Sequence, residues 1–311
     1  MEELIANFTA VLETSVHDGL PAAFASELLR TEDPVEAGPE IQRTASGKVV
    51  NSHCSQCGEG YHSSSGLSHL CPRCRPGDAP GAVSRLEYSF VRPYVRVLAR
   101  RIVDCAQSRE LPRRARMACL EEVDETESAQ HWMAAIIAAF PQQLQGQAPS
   151  KTATTVLLQA LGCRGIGAIL GLRHTAGSLP ELLPPSSQEL WEAFNRKHGK
   201  SPAQRLTVGA RALTKHCHRG ADRWWLGGQQ ELKGGDLAKN AVSVEVLSRV
   251  LHAVEWMNLH GLPGDLPILE LRTGQGYGAR WTVPAVDGPG VEFRGFLEPQ
   301  VADGHEKKWR H

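Results

Sequence analysis

The sequence predicts an α+β protein: a small zinc-binding module, a mostly helical middle, and a C-terminal helix followed by an antiparallel three-stranded meander. Three observations carry this expectation. Two CxxC pairs lie between Cys54 and Cys74, apolar residues recur at helical spacing around 91–105 and 241–260, and three short strand-like runs follow residue 267, separated by glycine-rich turns. The units expected are an acidic helical segment (1–45), a zinc module (46–80), a helical region (84–200) and a C-terminal α+β domain (201–311).

Residues 1–40 hold nine acidic side chains against one basic, Arg30, alongside two apolar runs, Leu4 to Leu12 and Ala22 to Leu29. Two helices are expected, the second opened by Pro21, whose fixed φ suits a first turn. Thr31 to Val50 reads as a linker, and Arg75 to Gly81 as another breaker-rich connection. Val91, Val95, Leu98, Ile102 and Cys105 mark a helix that becomes regular near Pro93. Further helices are expected at Arg113 to Val123, Ser128 to Phe140, Thr154 to Leu161 and Ser187 to Lys197. Ser201, Pro202 and Gln204 carry cap signals for a helix ending near His216. Ala241 to His260 is the strongest amphipathic pattern, closed by Gly261 and Pro263. The meander is expected from Ile268 to Arg272, Ala279 to Val283 and Val291 to Leu297.

Lysine plus arginine equals aspartate plus glutamate at 34 each, so no global field selects a nucleic acid or an anionic surface. The beginning of the chain carries no secretory pattern, and the apolar stretches are short or broken by Arg164, which argues against a membrane span. Eight cysteines without an export signal imply reduced thiols in the cytoplasm or nucleus.

Cys54, Cys57, Cys71 and Cys74 have the spacing of two knuckles that place four thiolates on one ion, with Gly58 permitting the tight turn. A closed four-thiolate site leaves no open position, so the expected Zn2+ is structural, its binding worth on the order of 10 kcal/mol of local folding. His53, His62 and His69 are competing ligands. Residues 51–77 resemble zinc ribbons and related zinc knuckles.

Arg92, Arg96 and Arg100 fall four apart in a segment, 92–116, that holds eight arginines against Asp104 and Glu110. With Tyr88, Phe90 and Tyr94 alongside, this stripe is a candidate for tracking phosphates and stacking bases. The alternative is that its arginines pair with the acidic residues 1–40.

Lys215, His216, Cys217, His218 and Arg219 form the densest run of functional side chains, followed by Arg223, Trp224 and Trp225. Lys215, His216, His218 and Arg219 are candidate catalytic residues, with Glu270 on an expected strand further along the chain; the alternatives are a basic helix end and a Glu270–Arg272 ion pair. An enzyme requires His216 or His218 to meet Glu270 or Glu298 in one pocket. Gly162, Gly165, Gly167 and Gly171 are similar to a nucleotide-binding loop of short-chain dehydrogenases. The first glycine is misplaced, however, and that family's tyrosine–lysine pair is missing, so close helix packing explains them more simply.

Toward the end, Tyr277, Arg280, Trp281, Arg294 and Trp309 alternate aromatics with arginines, as a recognition surface or a core seal would. The words GYGARW, FRGFLEP and DGHEKKWRH, with the KHxHR-type segment, resemble the C-terminal end of a group of uncharacterised eukaryotic proteins over about 205–311, which implies no activity. The expected function is that of a zinc-stabilised intracellular, non-catalytic adaptor with a protein partner. The alternatives are a hydrolase-like enzyme using the His/Lys/Arg/Glu residues and a nucleic-acid binder using Arg92 to Arg116.

Overall fold

The computed structural model describes residues 1–32, 51–53, 60–62, 92–112, 117, 120–141, 147–199, 205–219, 221–227, 231–262, 266–284 and 290–300. Cys54, Cys57, Cys71 and Cys74 lie outside the described residues, as do Tyr88, Phe90 and Trp309. The strands beside the first cysteine pair are described: β1 (Asn51–His53) and β2 (Gly60–His62) form an antiparallel hairpin with His53 opposite Gly60.

A first core is built by five helices. In α1 (Glu2–Gly19), Ile5, Phe8, Leu12 and Val16 are buried at intervals of three and four, the stripe that an amphipathic helix turns toward its neighbours. Pro21 stands as the N-cap of α2 (Ala22–Leu29), and α3 (Tyr94–Ser108) starts directly after Pro93. These pack with α4 (Thr126–Ala139) and α5 (Lys151–Leu170) around Leu98, Ile102, Trp132, Ile136 and Leu158. By length and composition α5 could cross a membrane, but 56% of its apolar stretch is buried within the protein.

The glycine run belongs to α5 and its end, and forms no phosphate loop. Gly162 kinks the helix at φ +56°, Gly165 lies against the Trp132 ring, and Gly171 caps the helix in the left-handed region at φ +106°. The helix expected at Arg113 to Val123 is corrected. The described residues there are irregular, and Glu122 bridges to Thr175, where its carboxylate meets Arg173 at 2.5 Å.

A second core gathers the C-terminal elements. Ser186 and Glu189 close a full capping box on α6 (Ser187–Asn195). The Thr207 side chain accepts from Ala210 N–H to cap α7 (Val208–His216); the serine expected to open this helix, Ser201, lies outside the described residues. The long helix expected at Ala241 to His260 is also corrected. It is α8 (Asp236–His252), and the chain then turns into a strand, β3 (Val254–Leu262).

The sequence signal was ambiguous at this point. Val254 and Met257 continue the helical stripe, yet Met257 and Leu259 face the core while Trp256 and Asn258 alternate with them, a period of two that the neighbouring strand rewards. The sheet therefore has four strands, in the order β3-β4-β5-β6, with β4 (Leu266–Thr273), β5 (Gly278–Thr282) and β6 (Glu292–Leu297). The α+β class holds. Helices α6, α7 and α8 cover the face carrying Leu269, Leu271, Ala279, Trp281 and Phe296. Backbone hydrogen bonds from Arg173 to Met257 and from Leu179 to Leu259 lay the segment after α5 along the free edge of β3.

The two cores are joined by polar contacts at α6. Tyr94 donates its hydroxyl to the carbonyls of Pro184 and Pro185, and Arg92 bridges Glu27 and Glu189.

Gly209, in the first turn of α7, rests on the buried Phe194 ring with no room for a methyl group. Gly209→Ala is expected to destabilise the C-terminal unit by roughly 1–3 kcal/mol through overpacking. A lowered urea midpoint checks this; an unchanged midpoint would mean that α7 does not depend on this close approach.

Candidate active site

α7 carries Ala210, Leu213 and His216 toward the sheet and ends at His216. The ring lies between Trp225 and Phe296, each with its centroid 6.4 Å away, and the residue is 9% exposed. Its Nδ1 is 2.7 Å from Oε1 of Glu298, the residue directly after β6, which is 3% exposed. Burial alone would raise the Glu298 carboxyl. The hydrogen bond and charge of His216, assisted by Arg219, outweigh it and hold the carboxyl below its usual range. An ionised Glu298 fixes Nδ1 as the protonated nitrogen and leaves Nε2 for another partner.

On the Nε2 side stands Gly295, where even a Cβ would lie 4.0 Å from that nitrogen. Gly295 has φ +139°, which disfavours any side chain, so only backbone of this residue stands on that side of the ring. The backbone of Glu298 is fixed separately, because Arg272 Nη1 donates to its carbonyl at 3.0 Å and to that of Gly276 at 2.7 Å.

The same arginine leads to a second group. Its Nε donates to Glu270 Oε1 at 2.5 Å, and Oε2 of Glu270 lies 3.5 Å from His260 Nε2. Burial would raise the Glu270 carboxyl, but the His260 hydrogen bond and the adjacent Arg272 charge bring it down to about 2. His216, Glu298, Arg272, Glu270 and His260 thus form one run of polar contacts across the end of the sheet.

Of the residues singled out in the sequence, His216 meets Glu298, and Arg219 is close enough to act on it; Glu270 belongs to the neighbouring ion pair and does not meet His216. Lys215 and His218 are exposed beside them. Arg92 is 7% exposed and bound to Glu27 and Glu189, and Arg100 pairs with Glu2 at 2.8 Å, so two of the three stripe residues are taken up by the acidic helices; Arg96 is exposed.

Tyr277 stacks on Trp224 at 4.2 Å, Arg249 covers the other Trp224 face at 4.5 Å, and buried Trp281 donates to the Leu190 carbonyl. Arg280 is half-buried between Glu270 and Gly295 in the strand register, and Arg294 is exposed at the bulge of β6. Sequence reasoning missed His260 as a member, because it was assigned to a helix end. Among the described residues no group of three His, Cys, Asp or Glu side chains is arranged to hold a metal ion.

Residues 196–298 match the family model of the CdiA C-terminal tRNase toxin domain, a stretch that begins at the end of α6 and stops at Glu298. No curated protein and no solved structure matches the chain. This finding corrects the resemblances drawn from sequence. The matched family is a nuclease toxin family, neither a zinc ribbon nor a group without an assigned activity, and the match starts well beyond the cysteines. The zinc-finger description and the non-catalytic adaptor reading fall with them, since the matched domain is named for an enzyme.

Because the folded Glu270 carboxyl titrates lower than it does in the unfolded chain, its contribution to stability is complete above pH 4.5 and is lost as pH falls through about 2. Urea midpoints of the wild type are expected to fall over that window, and those of Glu270→Gln to fall less. Parallel curves would mean that the ion pair adds no pH-dependent stability.

Proposed function

We propose that the C-terminal unit is a ribonuclease acting on transfer RNA, with His216 as its acid–base residue. The observation that carries the reading is the buried His216–Glu298 pair with Nε2 left open, inside the stretch that matches a tRNase toxin domain. Nucleic acid is then the partner of this unit, and the cytosol is where such a substrate would be met.

The chemistry asks little beyond these residues. His216 Nε2 takes the proton of a ribose 2′-hydroxyl, and that oxygen attacks the adjacent phosphorus. The 5′ oxygen leaves with a proton from solvent, so a 2′,3′-cyclic phosphate and a 5′-hydroxyl end are formed. Glu298 holds the imidazole in the correct tautomer and stabilises the imidazolium that forms. Arg219 supplies positive charge for the phosphoryl oxygens as negative charge builds on them.

The full-length protein is expected to cleave tRNA to products with these ends, and His216→Ala to lose activity by about 10²–10⁴-fold, the usual contribution of an acid–base group. Glu298→Gln keeps the hydrogen bond but not the charge and is expected to lose less. Electrophoresis with end-group analysis reads both, and a His216→Ala protein that cleaves at the wild-type rate would sink the proposal.

For the segment ahead of this unit, we propose that Cys54, Cys57, Cys71 and Cys74 hold one structural zinc ion. The support is their spacing, the first pair lying in sequence between the paired strands β1 and β2. One zinc per chain is expected by mass spectrometry and should be lost in a Cys54→Ser, Cys71→Ser double variant; wild type without zinc would refute it.

A further inference from the structure

We propose that Arg211, Lys215 and Arg219 form the track along which the RNA backbone approaches His216, an inference that rests on the ribonuclease reading above. Arg211 and Lys215 are four residues apart and both exposed on α7, the helix that ends in His216. Four residues advance a helix by about 6 Å, comparable to the separation of successive phosphates along a nucleic-acid strand. Arg219 continues the line past the end of the helix, on a turn fixed by its own N–H bonded to the His216 carbonyl at 2.8 Å.

Arg211 and Lys215 stand exposed on the helix with no carboxylate partner among the described residues, and Arg219 makes no ion pair of its own beyond its field on Glu298. Among the described residues none of the three takes part in an ion pair, whereas Arg30, Arg92, Arg100, Arg164, Arg173 and Arg272 each do. The Glu298 carboxylate, which meets the end of α7, is already engaged by the imidazole. An exposed guanidinium or ammonium without a carboxylate partner holds a loosely bound counterion that a phosphate can replace, and the released counterions drive binding. The three also point the strand somewhere: two stand on the exposed side of α7, and the third lies beside the Glu298–His216 pair, where a phosphodiester has to sit for the reaction. The same helix therefore carries both the means of holding the strand and the group that acts on it.

The test uses full-length His216→Ala protein, so that tRNA stays intact, and the same protein with Arg211→Gln and Lys215→Gln added; Arg219 is left in place because it acts on Glu298. Binding of labelled tRNA is measured from 50 to 300 mM salt. Loss of two phosphate contacts is expected to flatten the slope of log K against log salt by about 1.4 and to weaken binding at the lowest salt. In the His216-intact background the double variant should raise KM for tRNA while kcat stays within about twofold, because neither residue touches the reacting atoms. Unchanged affinity and slope, with wild type still cleaving tRNA, would overturn the track and leave the ribonuclease reading standing. If wild type does not cleave tRNA but the salt slope flattens as stated, the ribonuclease reading fails and the stripe stands as an RNA-binding face. Neither cleavage nor salt-dependent binding would remove both.

Discussion

A guanidinium that cannot lose its proton is buried at the end of the C-terminal sheet, and much of the site follows from satisfying it. Arg272 is 2% exposed and finds three acceptors: the Glu270 carboxylate on its own strand, the Gly276 carbonyl in the turn after β4, and the Glu298 carbonyl after β6. Burying a charge costs several kcal/mol unless such partners are in place, and taking away one partner of a buried pair typically costs about 3–5 kcal/mol. The strand ends are therefore held in one arrangement by a requirement that packing alone would not impose. Glu298 receives its position from this: its backbone carbonyl is held by Arg272 while its side chain reaches His216.

A similar economy of charge governs how the helical body meets this unit. The N-terminal helices are acidic, and their carboxylates are used against arginines from distant parts of the chain, Glu2 on Arg100 and Glu27 on Arg92. Glu189 shows the dual use most clearly. It closes the capping box of α6 through the Ser186 N–H and at the same time binds Arg92 and Arg30. Burial would raise its carboxyl, but the Ser186 hydrogen bond and the two arginines hold it below the usual range. One side chain thus sets both the start of a helix and the seam between two cores.

These examples show which parts of the protein can be read from its sequence. Helices with an uninterrupted apolar stripe were legible: α1, α2, α3, α4 and α6 lie close to their expected places, because the signal for each is contained within it. The strand β3 was not, since Val254 and Met257 satisfy a helix and a strand equally and only pairing with β4 decides between them. The site divides in the same way. His216 and Arg219 stood out as a dense local cluster, and Glu298 could be named only as one of two acidic residues for a histidine to meet. Eighty-two positions separate His216 from Glu298, so what joins them is the packing of α7 on β6. His260 gave no signal at all while its strand was read as a helix end.

The polar run contains two histidine–carboxylate pairs, and the way each ring is tethered separates their roles. In imidazole Nδ1 lies next to the stem and Nε2 at the tip. A histidine held through Nδ1 offers its tip to a ligand, while one held through Nε2 turns its tip away. His260 approaches Glu270 through Nε2, and that carboxylate also binds Arg272 and titrates near 2, so it stays ionised and engaged at any working pH. Such a group can brace a sheet but cannot exchange protons with a substrate, for which a pKa near the operating pH is needed. His216 is held through Nδ1, with the Gly295 backbone at its tip and unpaired cations on its own helix. A net charge of zero is no obstacle to a polyanionic substrate in such a chain, because it is the local field that a substrate meets, and Arg211 and Lys215 stand exposed on the helix that ends in His216.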